Sequence, residues 1–94
     1  MNKLTAGQGN AGVIGLNELI EIIEEIVDLE DVPMVPEAIL GDDVPIDSAD
    51  MLRILARLES RYQIHFRSAD IFLLVTLDDL LEMVRHKSKE NTSV

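Results

Sequence analysis

The chain has 94 residues, 47% of them apolar but only 3% aromatic, and carries a formal charge of −10. One domain of this length buries a modest share of its surface, which excludes a large enzyme with an enclosed active-site cavity, and its core must come from Leu, Ile, Val and Met. Cysteine is absent, which excludes disulfides and thiolate metal sites and leaves any thiol chemistry to a sulfur supplied from outside.

The charge is uneven. Residues 1–47 hold eleven acids and one base, whereas residues 48–94 hold seven of each. Such a field repels nucleic acid and anionic membranes and favours partners with Lys and Arg patches. Most of Glu18, Glu21, Glu24 and Glu25 read as a solvated face. No apolar run approaches the roughly 20 residues that span a bilayer, and the start from Met1 to Gly12 lacks the apolar stretch of a signal peptide, so a cytoplasmic protein without membrane insertion is expected.

Residues 1–12, rich in Gly, Asn and Gln, have little to bury and predict a flexible N-terminal tail. From Leu16 to Leu29 the apolar positions Leu16, Leu19, Ile20, Ile23, Ile26 and Val27 recur at three- and four-residue steps, which predicts a first amphipathic helix. Pro33 and Pro36 forbid its continuation, and the stretch to Asp47 reads as a long ordered loop. A second helix is predicted over Ser48–Tyr62, where Met51, Ile54, Leu55, Leu58 and Tyr62 share one stripe. Asp47 is its natural N-cap, with Asp50 placed to reach back. Residues 68–75 predict a short third helix capped by Ser68. A last helix begins at Thr76, where Thr76-Leu-Asp-Asp79 fits a capping box, and ends in the cations Arg85 and Lys87. Residues 88–94 are expected to form a flexible C-terminal tail. The fold class is all-α: one domain over residues 13–87, built of three long helices and a short third one, with a long loop between helices 1 and 2.

Little here supports catalysis. His65 and His86 lack the carboxylate pair or second histidine that a metal or nucleophile site requires. His65 reads as a loop or partly buried packing residue. Gly41-Asp-Asp-Val-Pro-Ile-Asp lacks the alternating ligands and closing Glu of a calcium loop. No catalytic residue and no metal site is expected. What remains is Asp47-Ser48-Ala49-Asp50, at the junction of an acidic loop and an amphipathic helix.

In that setting the sequence resembles the acyl carrier proteins, which attach a prosthetic group to the Ser of an Asp-Ser-Leu motif opening their second helix. The resemblance covers about residues 13–87: an acidic first helix, a long loop ending Val44-Pro45-Ile46-Asp47-Ser48, then Leu52, Leu55, Leu58, Tyr62, an Ile64/Phe66 connection and a Thr76-Leu77 start to the fourth helix. It implies a monomeric carrier, not an enzyme. Ser48, with Asp47 beside it, would bear a covalent 4'-phosphopantetheine arm derived from coenzyme A. Acyl intermediates of fatty-acid, polyketide or related lipid biosynthesis would ride on the arm as thioesters. The implied partners are a phosphopantetheinyl transferase and acyl-transferring and acyl-modifying enzymes. A Ser in the first turn is exposed, and the phosphodiester would lie where free N–H groups and the positive helix end stabilise an anion.

The sequence departs from the family's pattern in three places. Ala49 stands where a Leu usually follows the Ser, and Pro45 where a Gly precedes it. Arg53, Arg57 and Arg61 form a basic stripe on a helix that is typically acidic. That stripe reads either as a solvated face or as a changed partner code. Asp50, Leu52, Arg53, Ala56 and Arg57 are the expected partner-binding residues, with Leu52 and Ala56 a small apolar seam beside Ser48. The alternative is an unmodified helical interaction module that has kept the fold and lost the arm.

Overall fold

The computed structural model describes residues 14–92, with side chains through Lys89; the expected N-terminal tail lies outside them. The described residues form four helices: α1 (Leu16–Glu24), α2 (Ser48–Tyr62), α3 (Ser68–Ile71) and α4 (Leu77–Thr92). The all-α architecture is as expected, and α2 has the bounds read from its apolar stripe. Helix α2 packs against both α1 and α4.

All four helices open with the same device. The backbone N–H at the N-cap donates to an acidic side chain three residues on: Gly15 to Glu18 at 2.9 Å, Asp47 to Asp50 at 3.2 Å, Arg67 to Asp70 at 2.8 Å and Thr76 to Asp79 at 2.9 Å. At α2 and α4 the exchange is reciprocal, because Asp50 N–H donates to Asp47 Oδ1 at 2.8 Å and Asp79 N–H to Thr76 Oγ1 at 3.1 Å. Each carboxylate also meets the positive end of its helix. The cap of α3 comes from Asp70 rather than from Ser68.

Three ends differ from expectation. Helix α1 stops at Glu24 instead of Leu29. Glu25 N–H is shared between Glu21 and Ile22 carbonyls and Ile26 N–H reaches Ile23 O, a tightening to three-residue bonds that closes the helix. Leu29 is buried all the same, so the apolar periodicity outlasts the helix. Helix α3 ends at Ile71, leaving Phe72 and Leu73 in a turn. Helix α4 runs past Lys87 to Thr92, so residues 88–92 are helical where a tail is expected. Ser88-Lys-Glu-Asn-Thr contains no Gly or Pro to stop it, and Ser88 itself is buried.

The core is aliphatic, with Phe66 its one aromatic member. Leu19, Ile22 and Ile23 from α1, Ile54, Leu55 and Leu58 from α2, and Leu77, Leu80, Leu81 and Val84 from α4 meet Ile14 and Phe66. The long loop enters it too, through Leu29, Ala38, Val44 and Ile46. Backbone pairing holds the loop in place: Leu40 N–H donates to Val75 O, Leu77 N–H to Ala38 O and Asp78 N–H to Pro36 O, each at 2.9 Å. Gly41, at φ 90°, turns the chain so that its N–H meets Val44 O at 2.9 Å, a left-handed backbone that favours glycine. Helix α3 contributes no buried residue. Its Ile71 packs, partly buried, against the core, and Lys87 of α4, half-buried, adds a tie: its Nζ lies 2.8 Å from Asp70 and 5.9 Å from the centre of the Phe66 ring.

Leu58 is fully buried on the inner face of α2. Leu58→Ala is expected to cost about 2–5 kcal/mol. Chemical denaturation followed by circular dichroism reads this, and a loss well under that range would show that the neighbouring helices close the cavity.

Candidate functional site

Ser48 is the first residue of α2 and is exposed. Its position follows from the capping exchange between Asp47 and Asp50, which fixes where the loop stops and the helix starts. The side chain borders an open cleft of about 350 Å³. Leu40, Gly41, Ile46 and Asp47 form the loop wall, Ser48, Met51 and Leu52 the α2 wall, and Ile71 and Leu74 the wall at α3. The lining is largely aliphatic, with an exposed hydroxyl at its edge.

The electrostatics of the helix start differ from the expectation of open amides. Asp50 N–H already donates to Asp47, and this bond is the largest cause holding the Asp47 carboxyl below its ordinary pKa, with contributions from Ala49 N–H and the charge of Arg53. An anion on Ser48 therefore shares the helix start with a carboxylate seated there first. Asp50 is half-exposed and also accepts from Arg53 at 3.3 Å.

The basic stripe of α2 is exposed, as expected, but it is matched within the chain. Arg57 donates to Glu25 in the turn after α1, Arg61 approaches the same carboxylate at 4.0 Å, and Arg53 pairs with Asp50. Glu25 thus clasps the end of α1 to the face of α2, a pairing across 32 positions that helical spacing does not reveal. Exposed pairs of this kind contribute at most about 1 kcal/mol each. Leu52, 62% exposed, and Ala56, also exposed, lie on the open surface of α2.

His65 is exposed, its Nδ1 3.4 Å from Glu59, while its neighbour Phe66 is the buried residue; the packing role falls to Phe66. The same Glu59 carboxylate accepts the Phe66 N–H at 2.8 Å. The α3 corner, where Phe72 and Leu73 are 85% and 64% exposed, is a feature that sequence reading missed, because a helix drawn to Val75 hides their projection. Among the described residues, no helix is long and apolar enough to cross a membrane.

Three capping carboxylates respond to acid in the same direction. Asp47, Asp70 and Asp79 all sit below the ordinary carboxylate pKa, chiefly through Asp50 N–H, the hydrogen bond from Lys87 and Thr76 N–H respectively. A group with a lowered folded pKa stabilises fully above its unfolded value and loses that contribution as pH falls through the folded one. The thermal midpoint is expected to fall on acidification below about pH 4. Asp47→Asn, which keeps an acceptor for Asp50 N–H but no charge, should fall less steeply. Scanning calorimetry across pH 2–5 compares the two slopes, roughly the range in which carboxylates titrate, and parallel curves would remove the charge of Asp47 from the account.

Comparison with known proteins bears directly on this site. A family described as a phosphopantetheine attachment site matches residues 17–84. An acyl carrier protein of Desulforapulum autotrophicum is 36% identical over 60 residues, covering 64% of this chain and 75% of that protein. No solved structure matches.

Proposed function

The chain belongs to the acyl carrier protein family, whose members bear phosphopantetheine, and from that premise we propose that Ser48 is the residue that carries the arm. The chain is a carrier and not an enzyme, and its cofactor is 4'-phosphopantetheine. The carrying observation is the placement of Ser48: an exposed hydroxyl on the first residue of α2, beside a largely aliphatic cleft. The residues present fit such a group, since a hydroxyl open to solvent admits a modifying enzyme and the cleft lies next to the attachment point. When bound, the arm supplies the thiol that the cysteine-free chain lacks, and acyl groups are held on it as thioesters.

Each neighbouring residue has a defined part. Asp47 fixes the first turn of α2 and so holds Ser48 at the surface. In modification, Ser48 Oγ forms a bond to the coenzyme A phosphorus proximal to the pantetheine. The pyrophosphate P–O bond breaks, adenosine 3',5'-bisphosphate leaves, and the hydroxyl proton passes to the transferase or solvent. The exposed face of α2, with Asp50, Leu52, Arg53, Ala56 and Arg57, is offered to the transferase and to acyl-transferring and acyl-modifying enzymes. The pathway is fatty-acid, polyketide or related lipid synthesis, in the cytoplasm, with the carrier a monomer. A tether of this kind raises the effective concentration of cargo at successive active sites without new contacts.

A phosphopantetheinyl transferase, coenzyme A and magnesium are expected to add roughly 340 Da to the intact chain, and Ser48→Ala to gain nothing. Intact mass spectrometry reads both. No gain by the wild type, or a gain that survives Ser48→Ala, would overturn the assignment; full biological activity of Ser48→Ala in the host would favour an unmodified interaction module.

A further inference from the structure

The charge of the chain is sorted by helix. Helix α1 exposes Glu18, Glu21 and Glu24 and no base. In α2 the exposed charged residues are Arg53, Arg57 and Arg61, without an acid among them. The two acids of α2 are half-buried and already engaged, since Asp50 accepts Asp47 N–H at 3.2 Å and Glu59 accepts Phe66 N–H at 2.8 Å. Helix α2 therefore shows solvent only guanidinium charge, in a chain whose total is −10.

Two rows at four-residue spacing run side by side along this face. One is the arginine row. The other is uncharged: Ser48, Leu52, Ala56 and Ser60, all exposed, with Leu52 62% open to solvent and sharing the cleft wall with Ser48. An apolar seam thus starts one turn from the Ser48 hydroxyl and is edged by positive charge. The chain itself shows what that edge accepts. Glu25 receives Arg57 and lies 4.0 Å from Arg61, and Asp50 receives Arg53 at 3.3 Å. Three guanidinium groups share two carboxylates through exposed pairs, which are held weakly. Each keeps its proton and has donors to spare, so a carboxylate from outside can take the place of Glu25 without stranding a buried charge.

We propose that the Leu52–Ala56 seam and its arginine row form a docking surface for a protein partner that presents an apolar ridge edged with Asp and Glu. The ridge buries Leu52 and Ala56, and the partner's carboxylates take over Arg53 and Arg57. The inference rests on the carrier reading, in which such a partner works on the arm at Ser48, and adds to it the chemistry of the contact. A second copy of the chain is a poor occupant. Its α1 offers acids but no exposed large apolar side chain to fill the seam, and two molecules of charge −10 oppose the approach. An anionic bilayer meets the same net repulsion.

The test titrates the isotope-labelled full chain with a synthetic amphipathic helix whose leucine face is edged with Glu, and with the same peptide carrying Lys in place of Glu, following backbone amides by NMR. The Glu-edged peptide is expected to shift the amides of Leu52, Arg53, Ala56 and Arg57, and the Lys-edged one to leave them in place. Arg53→Glu/Arg57→Glu should weaken the Glu-edged peptide by about fivefold or more, and added NaCl should weaken its binding to the wild type. Arg53→Gln/Arg57→Gln, which removes charge but keeps hydrogen-bonding side chains, should fall between the two, and circular dichroism checks that both variants are folded. No shift in α2, or equal affinity in wild type and variants, overturns the docking surface. A wild-type dimer in sedimentation, or binding to phosphatidylglycerol vesicles in place of the peptide, overturns it too if Arg53→Glu/Arg57→Glu abolishes the association, by making a second copy or a bilayer the occupant. The peptide requires no arm, so the two readings fail separately. A null titration in a chain that gains the arm overturns the surface alone, whereas a chain that binds the peptide but gains no mass from coenzyme A and a transferase overturns the carrier reading and the claim that this partner works on an arm.

Discussion

The exchange of hydrogen bonds between Asp47 and Asp50 is the constraint on which the rest of the site depends. Each residue satisfies the other's backbone N–H, at 2.8 and 3.2 Å, so the chain leaves its extended loop and enters α2 at one residue and no other. Ser48 is exposed because it is the first residue past that boundary. A shift of the boundary by one position would turn the α2 stripe by about 100° and move Ile54, Leu55 and Leu58 out of the core. The cap and the core thus enforce the same register, one through local hydrogen bonds and the other through burial.

The loop plays the complementary part. It is too long to be a mere connection, and it behaves as a fourth layer: Ala38, Val44 and Ile46 are buried while the backbone of residues 36–40 is bonded to residues 75–78. That pairing brings the start of α4 alongside the approach to α2, so the loop wall of the cleft is held from both ends. The acids of the loop are left outside by this arrangement, since its inward positions are apolar. Helix α3 has the opposite character, with no fully buried residue of its own, and keeps its place through the partly buried Ile71 and the Lys87–Asp70 pair.

Much of this could be read from local pattern. The bounds of α2, the capping pairs Asp47/Asp50 and Thr76/Asp79, and the exposure of Ser48 depend on residues three or four apart, where helical geometry alone fixes the contact. Local pattern misled where burial and helix part company. Ile26, Val27 and Leu29 keep the apolar period of α1 because they still face the core, although the helix has closed at Glu24. The same ambiguity lengthened α3 to Val75. At the other end of the chain, the polar run from Ser88 gave no sign that its first residue would be buried.

The sequence by itself determined an all-helical domain, the start of α2 and the identity of the exposed hydroxyl there, because short-range hydrogen bonding and side-chain periodicity decide these. Only the tertiary structure decided that Glu25 draws Arg57 and Arg61 to the end of α1, and that Phe72 and Leu73 stand out beside the cleft. Those outcomes join residues tens of positions apart, or depend on which side of an element the core lies, and neither is specified until the helices have packed.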